Sequence, residues 1–106
     1  MNHSYNDNVA ALYGIPCAVI LHGMVSARDG LSMDNSNIHN GRVWMKCSIE
    51  KLRTIYPYMS RSAITKALNT LVRDGLLLRS NFNESKMDRT PWYSVTETGY
   101  KLSNAQ

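Results

Sequence analysis

The chain has 106 residues, 43% apolar and 19% charged, which suits one domain with a modest core that needs no disulfide or metal staple. Its net charge of +4 is unevenly placed: residues 1–41 carry Arg28 against Asp7, Asp29 and Asp34, whereas residues 42–106 carry eleven cations against five acids. A basic region behind a slightly acidic one favours a polyanionic partner over a small neutral substrate.

The N-terminus, MNHSYNDNVAALYG, lacks a basic start followed by a long apolar run and does not read as a signal peptide. Residues 8–13 are expected to form a short helix closed by Gly14. Pro16 suits the first turn of a second helix running to about Ala27, with Ala18, Ile20, Leu21, Met24 and Val25 as its apolar content. The apolar run 15–25 is interrupted by His22 and Gly23 and is too short to span a bilayer. Cys17 and Cys47 make no disulfide framework and read as buried or semi-buried thiols in a reducing cytoplasm. A soluble, cytoplasmic protein is expected.

Residues 28–41, RDGLSMDNSNIHNG, read as a loop. Residues 42–47 (RVWMKC) follow as one strand, with Val43 and Met45 on one side and Trp44 and Lys46 on the other. Ser48 caps a helix holding Ile49, Leu52 and Ile55, which stops before Pro57. Ser60 caps the next helix, residues 61–74, and Gly75 supplies the left-handed residue that ends it. Residues 76–82 are strand-like, 83–88 (NESKMD) form a polar turn, and 90–95 make a second strand. Pro91 lacks an N–H, which assigns that strand to a sheet edge. Thr96 caps a last short helix over 97–102.

Two helices joined by a tight turn and followed at once by a β-hairpin make a winged helix-turn-helix. The expected fold is therefore α+β, mainly α. It combines a winged helix-turn-helix, a three-stranded antiparallel sheet and additional N-terminal helices. One domain spans 1–106, with the helices and loop over 1–41 and the winged core over 42–106.

In the helix over 61–74, Ile64, Leu68, Leu71 and Val72 form the core face. Ser62, Lys66, Asn69 and Arg73 then line up opposite, a row with two cations and no acid. Fourteen residues rise about 21 Å, enough to lay the N-terminal half in a major groove about 12 Å wide. Ser60, Arg61 and Ser62 sit at the positive helix end, where N–H groups and short hydroxyls suit phosphate oxygens. Thr65, Lys66 and Asn69 are placed to reach base edges; Asn pairs bidentately with adenine and Lys with guanine. Arg73, a turn further on, is placed for backbone contact. The plain alternative is a solvated face.

The hairpin adds Arg79, Lys86 and Arg89, with Asn81 and Asn83 beside them, and can reach phosphates or a minor groove. Alternatively it is an ordinary hairpin in which Arg89 pairs with Asp88. Trp44, Trp92, Tyr93 and Tyr100 could stack on unpaired bases, but packing of the sheet against the helices is the expected role for most of them. Motifs for nucleotide, esterase or zinc-protease chemistry are missing, and the eight acids are dispersed. Cys17, His22, His39 and Cys47 match no zinc-finger spacing, with His22 read as a helix residue and His39 as a loop residue. No enzyme activity, cofactor or metal is expected.

Residues 41–93 carry a resemblance. "GRVWMKCSIEKL", "YPYMSRSAITKALNTLVRDGLLLRSNFN" and "DRTPWYSVT" together resemble winged-helix modules of phage and mobile-element proteins from Gram-positive bacteria. Many such modules stand at the N-terminus of replication-initiation or replisome-organiser proteins. The similarity extends weakly upstream through "LYGIPCAVILHGM". It implies a recognition helix over 61–73 and a wing over 81–93, the latter marked by N-F-N at 81–83, D-R-T at 88–90 and W-Y at 92–93. Replication proteins of this kind carry a further domain for oligomerisation or helicase loading, whereas a chain ending at Gln106 fits a small transcriptional regulator better.

The expected function is sequence-specific binding of double-stranded DNA, as a transcriptional regulator or replication-associated factor of phage or mobile-element type. A homodimer built from the N-terminal helices would match a palindromic operator. The alternative is a winged-helix module that docks on a host or phage protein, or on a protein–nucleic-acid target, as an anti-CRISPR-like inhibitor of a host nuclease does.

Overall fold

The computed structural model describes residues 5–30 and 38–104, and four of its five helices start on a capping side chain. Asn6 Oδ1 accepts from the N–H groups of Asn8 (2.8 Å) and Val9 (3.2 Å) and opens α1 (Asp7–Tyr13). Gly14, at φ +90°, turns the chain into α2 (Ile15–Gly30), whose first turn tolerates Pro16 because no helical N–H is needed there. Ser48 Oγ accepts from Lys51 N–H at 3.0 Å to open α3 (Ile49–Ile55). Ser60 Oγ does the same with Ala63 N–H, also at 3.0 Å, for α4 (Arg61–Arg73). Thr96 Oγ1 accepts from Gly99 N–H at 2.9 Å at the start of α5 (Glu97–Asn104). Each such cap satisfies an otherwise orphaned N–H and is worth about 1 kcal/mol.

The region between α2 and α3 departs from the sequence reading. Residues 28–30 belong to α2, and the expected loop over 28–41 ends in a small hairpin, β1 (Ile38–His39) against β2 (Arg42–Val43). Asn40 (φ 55°) and Gly41 (φ 75°) make its turn. Both central residues have positive φ, as the favoured two-residue hairpin turn requires, and Asn-Gly is the commonest sequence for it. His39 is thus a strand residue. Residues 31–37 of that expected loop lie outside the described residues.

The expected single strand over 42–47 is broken at Trp44. β2 pairs with β1, whereas β3 (Met45–Lys46) pairs with another sheet. Trp44 and Met45 are consecutive and both buried, but only Met45 belongs to the helical core. The three-stranded antiparallel sheet has the order β3-β5-β4, with β4 over Leu77–Ser80 and β5 over Trp92–Val95. Both strands are shorter than predicted. β5 is therefore the central strand, and the edge position assigned from Pro91 is incorrect. Pro91 stands just before the first paired residue, and its carbonyl accepts from Cys47 N–H at 3.0 Å. Its missing N–H never falls on the ladder.

The helix-turn-helix is α3, a turn through Tyr56–Met59, and α4. Tyr56 and Met59 point inward from that turn. With the β4–β5 hairpin, the three-stranded sheet and the two additional N-terminal helices, the architecture is the α+β winged helix-turn-helix that the sequence predicts. The core is centred on α2, which packs on α1, α4, α5 and β5. Ile20 and Leu21 of α2, Ile64 and Leu71 of α4 and Leu77 of β4 are all 0% exposed. Burying each side chain contributes about 1.5–3 kcal/mol. No helix among the described residues is long and apolar enough to cross a membrane.

Two glycines allow the closest approaches. A Cβ on Gly99 of α5 would stand 2.2 Å from the carbonyl oxygen of Leu76, and one on Gly23 of α2 would stand 2.0 Å from the Tyr56 hydroxyl. Beside Gly99, Thr96 Oγ1 donates to the Gly75 carbonyl at 2.7 Å and locks the start of α5 to the end of α4. Gly99→Ala is expected to destabilise the fold by about 1–3 kcal/mol, because it forces backbone rather than a side-chain end to move. Gly23→Ala should cost less, since the atom it meets is the end of a side chain rather than backbone. Urea midpoints of the two variants measure the difference.

Candidate nucleic-acid interface

Burying Ile64, Ala67, Leu68 and Leu71 leaves the opposite side of α4 to solvent. Ser62, Lys66, Asn69 and Arg73 are all exposed there. Arg61, Ser62, Thr65, Lys66, Asn69, Thr70 and Arg73 line one shallow, continuous surface without a carboxylate of its own. Val72, predicted as core, is half-buried and packs against the core from its margin.

Several of the cations are engaged by neighbours. Arg61 meets Glu50 of α3 at 2.5 Å. The Glu50 carboxyl is held below its ordinary value first by its own backbone N–H and then by Arg61. Arg73 Nε donates to Asp74 Oδ1 at 2.9 Å. Both pairs are well exposed, so water and salt screen them and they stabilise the fold little. Ser60 uses its Oγ as the cap of α4, so the hydroxyl stands at the helix end with its acceptor side occupied.

The wing meets the helix at one point that the sequence reading missed. Arg79 Nη2 on β4 donates to Asn69 Oδ1 at 2.8 Å, joining two residues both singled out for DNA contact. The Arg79 guanidinium carbon also lies 5.4 Å from the centre of the Tyr93 ring, within cation–π range. Lys86 and Arg89 are exposed in the wing loop. Arg89 does not pair with Asp88, because Lys46 of β3 takes that carboxylate at 2.6 Å. Asp88 Oδ1 further accepts from Thr90 N–H at 3.0 Å. The Lys46 bond first, and the Thr90 bonds after it, lower the Asp88 pKa to about 2.

Asn83 holds the wing loop closed. Its Nδ2 donates to the carbonyls of Asp88 (3.0 Å) and Thr90 (2.8 Å), and its Oδ1 accepts from the Trp92 indole N–H at 2.7 Å. Asn81 Oδ1 accepts from Asn83 N–H at 2.8 Å, a local turn bond. N-F-N, D-R-T and W-Y therefore carry much of the shape of the loop: the Asn81, Asn83 and Asp88 side chains each bond backbone groups of the loop, and Trp92 bonds Asn83.

The aromatic side chains divide differently from expectation. Tyr93 joins the helical core, and Tyr100 packs against it with the Arg28 guanidinium 4.6 Å from its ring centre. Trp44 and Trp92 instead join His39 and Phe82 in a separate cluster under the wing. His39 stacks on Phe82 at 4.1 Å, and Trp44 and Trp92 meet Phe82 edge-on at 4.9 and 5.8 Å. Trp44 Nε1 also donates to the His39 carbonyl at 3.0 Å. The β1–β2 hairpin, unpredicted from sequence, supplies the histidine that makes this cluster possible.

Cys17 and Cys47 are free and buried. Burial, as the largest cause, pushes both thiols above their ordinary pKa. Among the described residues, no group of three His, Cys, Asp or Glu side chains is placed to share a metal ion.

No protein-family model matches the chain, and no curated protein matches it. A solved structure described as the N-terminal domain of a DNA-binding protein superposes with a TM-score of 0.65 at 18% identity, covering 92% of this chain and 75% of that one. Likeness at that identity establishes a shared fold.

Asp88 gives the wing a defined acid response. Its carboxyl is more acidic folded than its ordinary value of 3.8. Its contribution is therefore complete above that value and is lost as pH falls through about 2. NMR titration should place the Asp88 midpoint near the lower value, with faster amide exchange at Thr90 on the acid side. Asn83→Ala, which strands the Trp92 N–H, should cost about 1 kcal/mol in denaturant unfolding.

Proposed function

We propose that this protein is a non-enzymatic, sequence-specific binder of double-stranded DNA, of phage or mobile-element type and cytoplasmic. It would act as a transcriptional regulator or a replication-associated factor. One observation carries the reading: the outer face of α4 presents Ser62, Lys66, Asn69 and Arg73 together and carries no acid of its own. The wing beside it adds Arg79, Lys86 and Arg89. The solved structure of similar fold, described as part of a DNA-binding protein, supports the same reading.

In this mechanism α4 lies in the major groove. Ser60, Arg61 and Ser62 meet phosphates at its positive end, Thr65, Lys66 and Asn69 face base edges, and Arg73 meets the backbone. Arg61 and Arg73 exchange their exposed carboxylates for phosphate at small cost, because screened pairs hold weakly. Lys86 and Arg89 follow the flanking backbone. A two-fold homodimer would double the base pairs read. Leu12 (68% exposed) and Ile15 (53% exposed), at the corner of α1 and α2, offer apolar surface for it.

Fluorescence anisotropy on a duplex selected from a random library and on a scrambled duplex, across a salt series, tests the reading. The log–log salt slope should approach roughly −0.9 per phosphate neutralised. Lys66→Ala should cost about 1–3 kcal/mol on the selected duplex and much less on the scrambled one. Lys86→Ala should weaken both alike and flatten the slope. If selection enriches no site and the α4 variants bind as the parent does, the basic face serves a protein or protein–nucleic-acid partner instead.

A further inference from the structure

We propose that Arg79 is a positioning residue for sequence discrimination: from the wing it fixes the side-chain amide of Asn69, so that α4 presents that amide to a base in one orientation only. The inference rests on α4 being the DNA-reading helix, and it names what one of its residues reads.

An exposed asparagine amide turns freely about its last torsion, whose preferences are broad and roughly two-fold. Turned over, it swaps donor for acceptor and reads a different pattern. Arg79 removes that freedom. A guanidinium carries donors only, so the atom facing its Nη2 at 2.8 Å is the amide oxygen. The amide N–H₂ must then face away from β4.

Arg79 is itself held from below. It stands directly opposite Tyr93 in the β4–β5 ladder, with its guanidinium against that ring. Tyr93 is 2% exposed and belongs to the central strand. A line of contacts therefore runs from the core through Tyr93 and Arg79 to Asn69.

The amide oxygen has two lone pairs and Arg79 uses one. What remains is one acceptor site and two N–H donors in a fixed order. Adenine offers the complementary pair in the major groove, an N6 amino donor beside the N7 acceptor. With the amide fixed, N6 must lie on the Arg79 side, so an A·T pair is accepted and the reversed T·A pair is not. Lysine at position 79 would keep the charge but lose the planar fork and much of the ring contact.

The test uses the full chain, a duplex selected from a random library, and single-position changes of that duplex. Asn69→Ala should weaken binding about tenfold and level the four bases at one adenine position. Arg79→Ala should level the same position, and the double variant should discriminate no worse than either single one. Arg79→Lys should restore the salt slope without restoring the discrimination. In the free protein, the Asn69 side-chain amide should be rigid by ¹⁵N relaxation and become mobile in Arg79→Ala while the backbone spectrum stays folded. If Arg79→Ala weakens every duplex by one common factor and the preference at the Asn69 position survives, Arg79 is only a phosphate contact. The proposal then fails while DNA reading stands. If selection enriches no site at all, both fail together.

Discussion

The burial of one face of α4 against α2 and α3 decides what that helix shows to its surroundings. Ile64, Leu68 and Leu71 are between 0% and 2% exposed, and no rotation of the helix keeps them there while turning Lys66 or Asn69 inward. A helix has only two broad sides at 3.6 residues per turn. Fixing one with a close-packed core fixes the other. The outer row is therefore presented by a packed helix rather than by a loop.

The wing is built on a contrasting principle. Apart from the cluster of His39, Trp44, Phe82 and Trp92, its shape comes from polar side chains that bond nearby backbone. Asn81, Asn83 and Asp88 take over the role that ladder bonds play in a regular hairpin. Such a loop can keep its shape while remaining wet. It can carry Lys86 and Arg89 outward without an apolar patch that would invite aggregation, although Met87 at 90% exposure stands alone on its surface.

What was legible in the sequence and what was not divide along physical lines. Ser48, Ser60, Thr96, Gly14 and Gly75 announce helix ends because capping and left-handed turns are decided within three or four residues. The inner and outer faces of α4 were legible for the same reason, since periodicity is local. Pro91 misled because whether a strand is central depends on which distant segments flank it, and here Met45 and Arg79 both pair with Tyr93. Asn40-Gly41 was a hairpin signal hidden in a run of Asn, Ser and Asp that looked like loop throughout. Trp44 broke the alternation because it leaves one sheet to enter a second cluster. Within the interface, the row on α4 could be read from spacing. The Asn69–Arg79 bond, the Lys46–Asp88 pair and the Asn83 staple could not, because strand pairing and loop geometry create them.

The central place of β5 has a bearing on how the chain is made. β3 and β4 touch one another nowhere in the sheet; each pairs only with β5, the last strand among the described residues. A ribosome releases α1 to α4 well before residue 92 emerges, so the helical half can collapse early while the sheet waits for a distant segment. Until β5 arrives, β3 and β4 carry open ladder edges, and closing the sheet then draws together residues nearly half the chain apart. Closure of the three-stranded sheet thereby follows the synthesis of all four preceding helices. A chain stalled before Trp92 would hold α3, α4 and β4 without the central strand that joins β4 to β3.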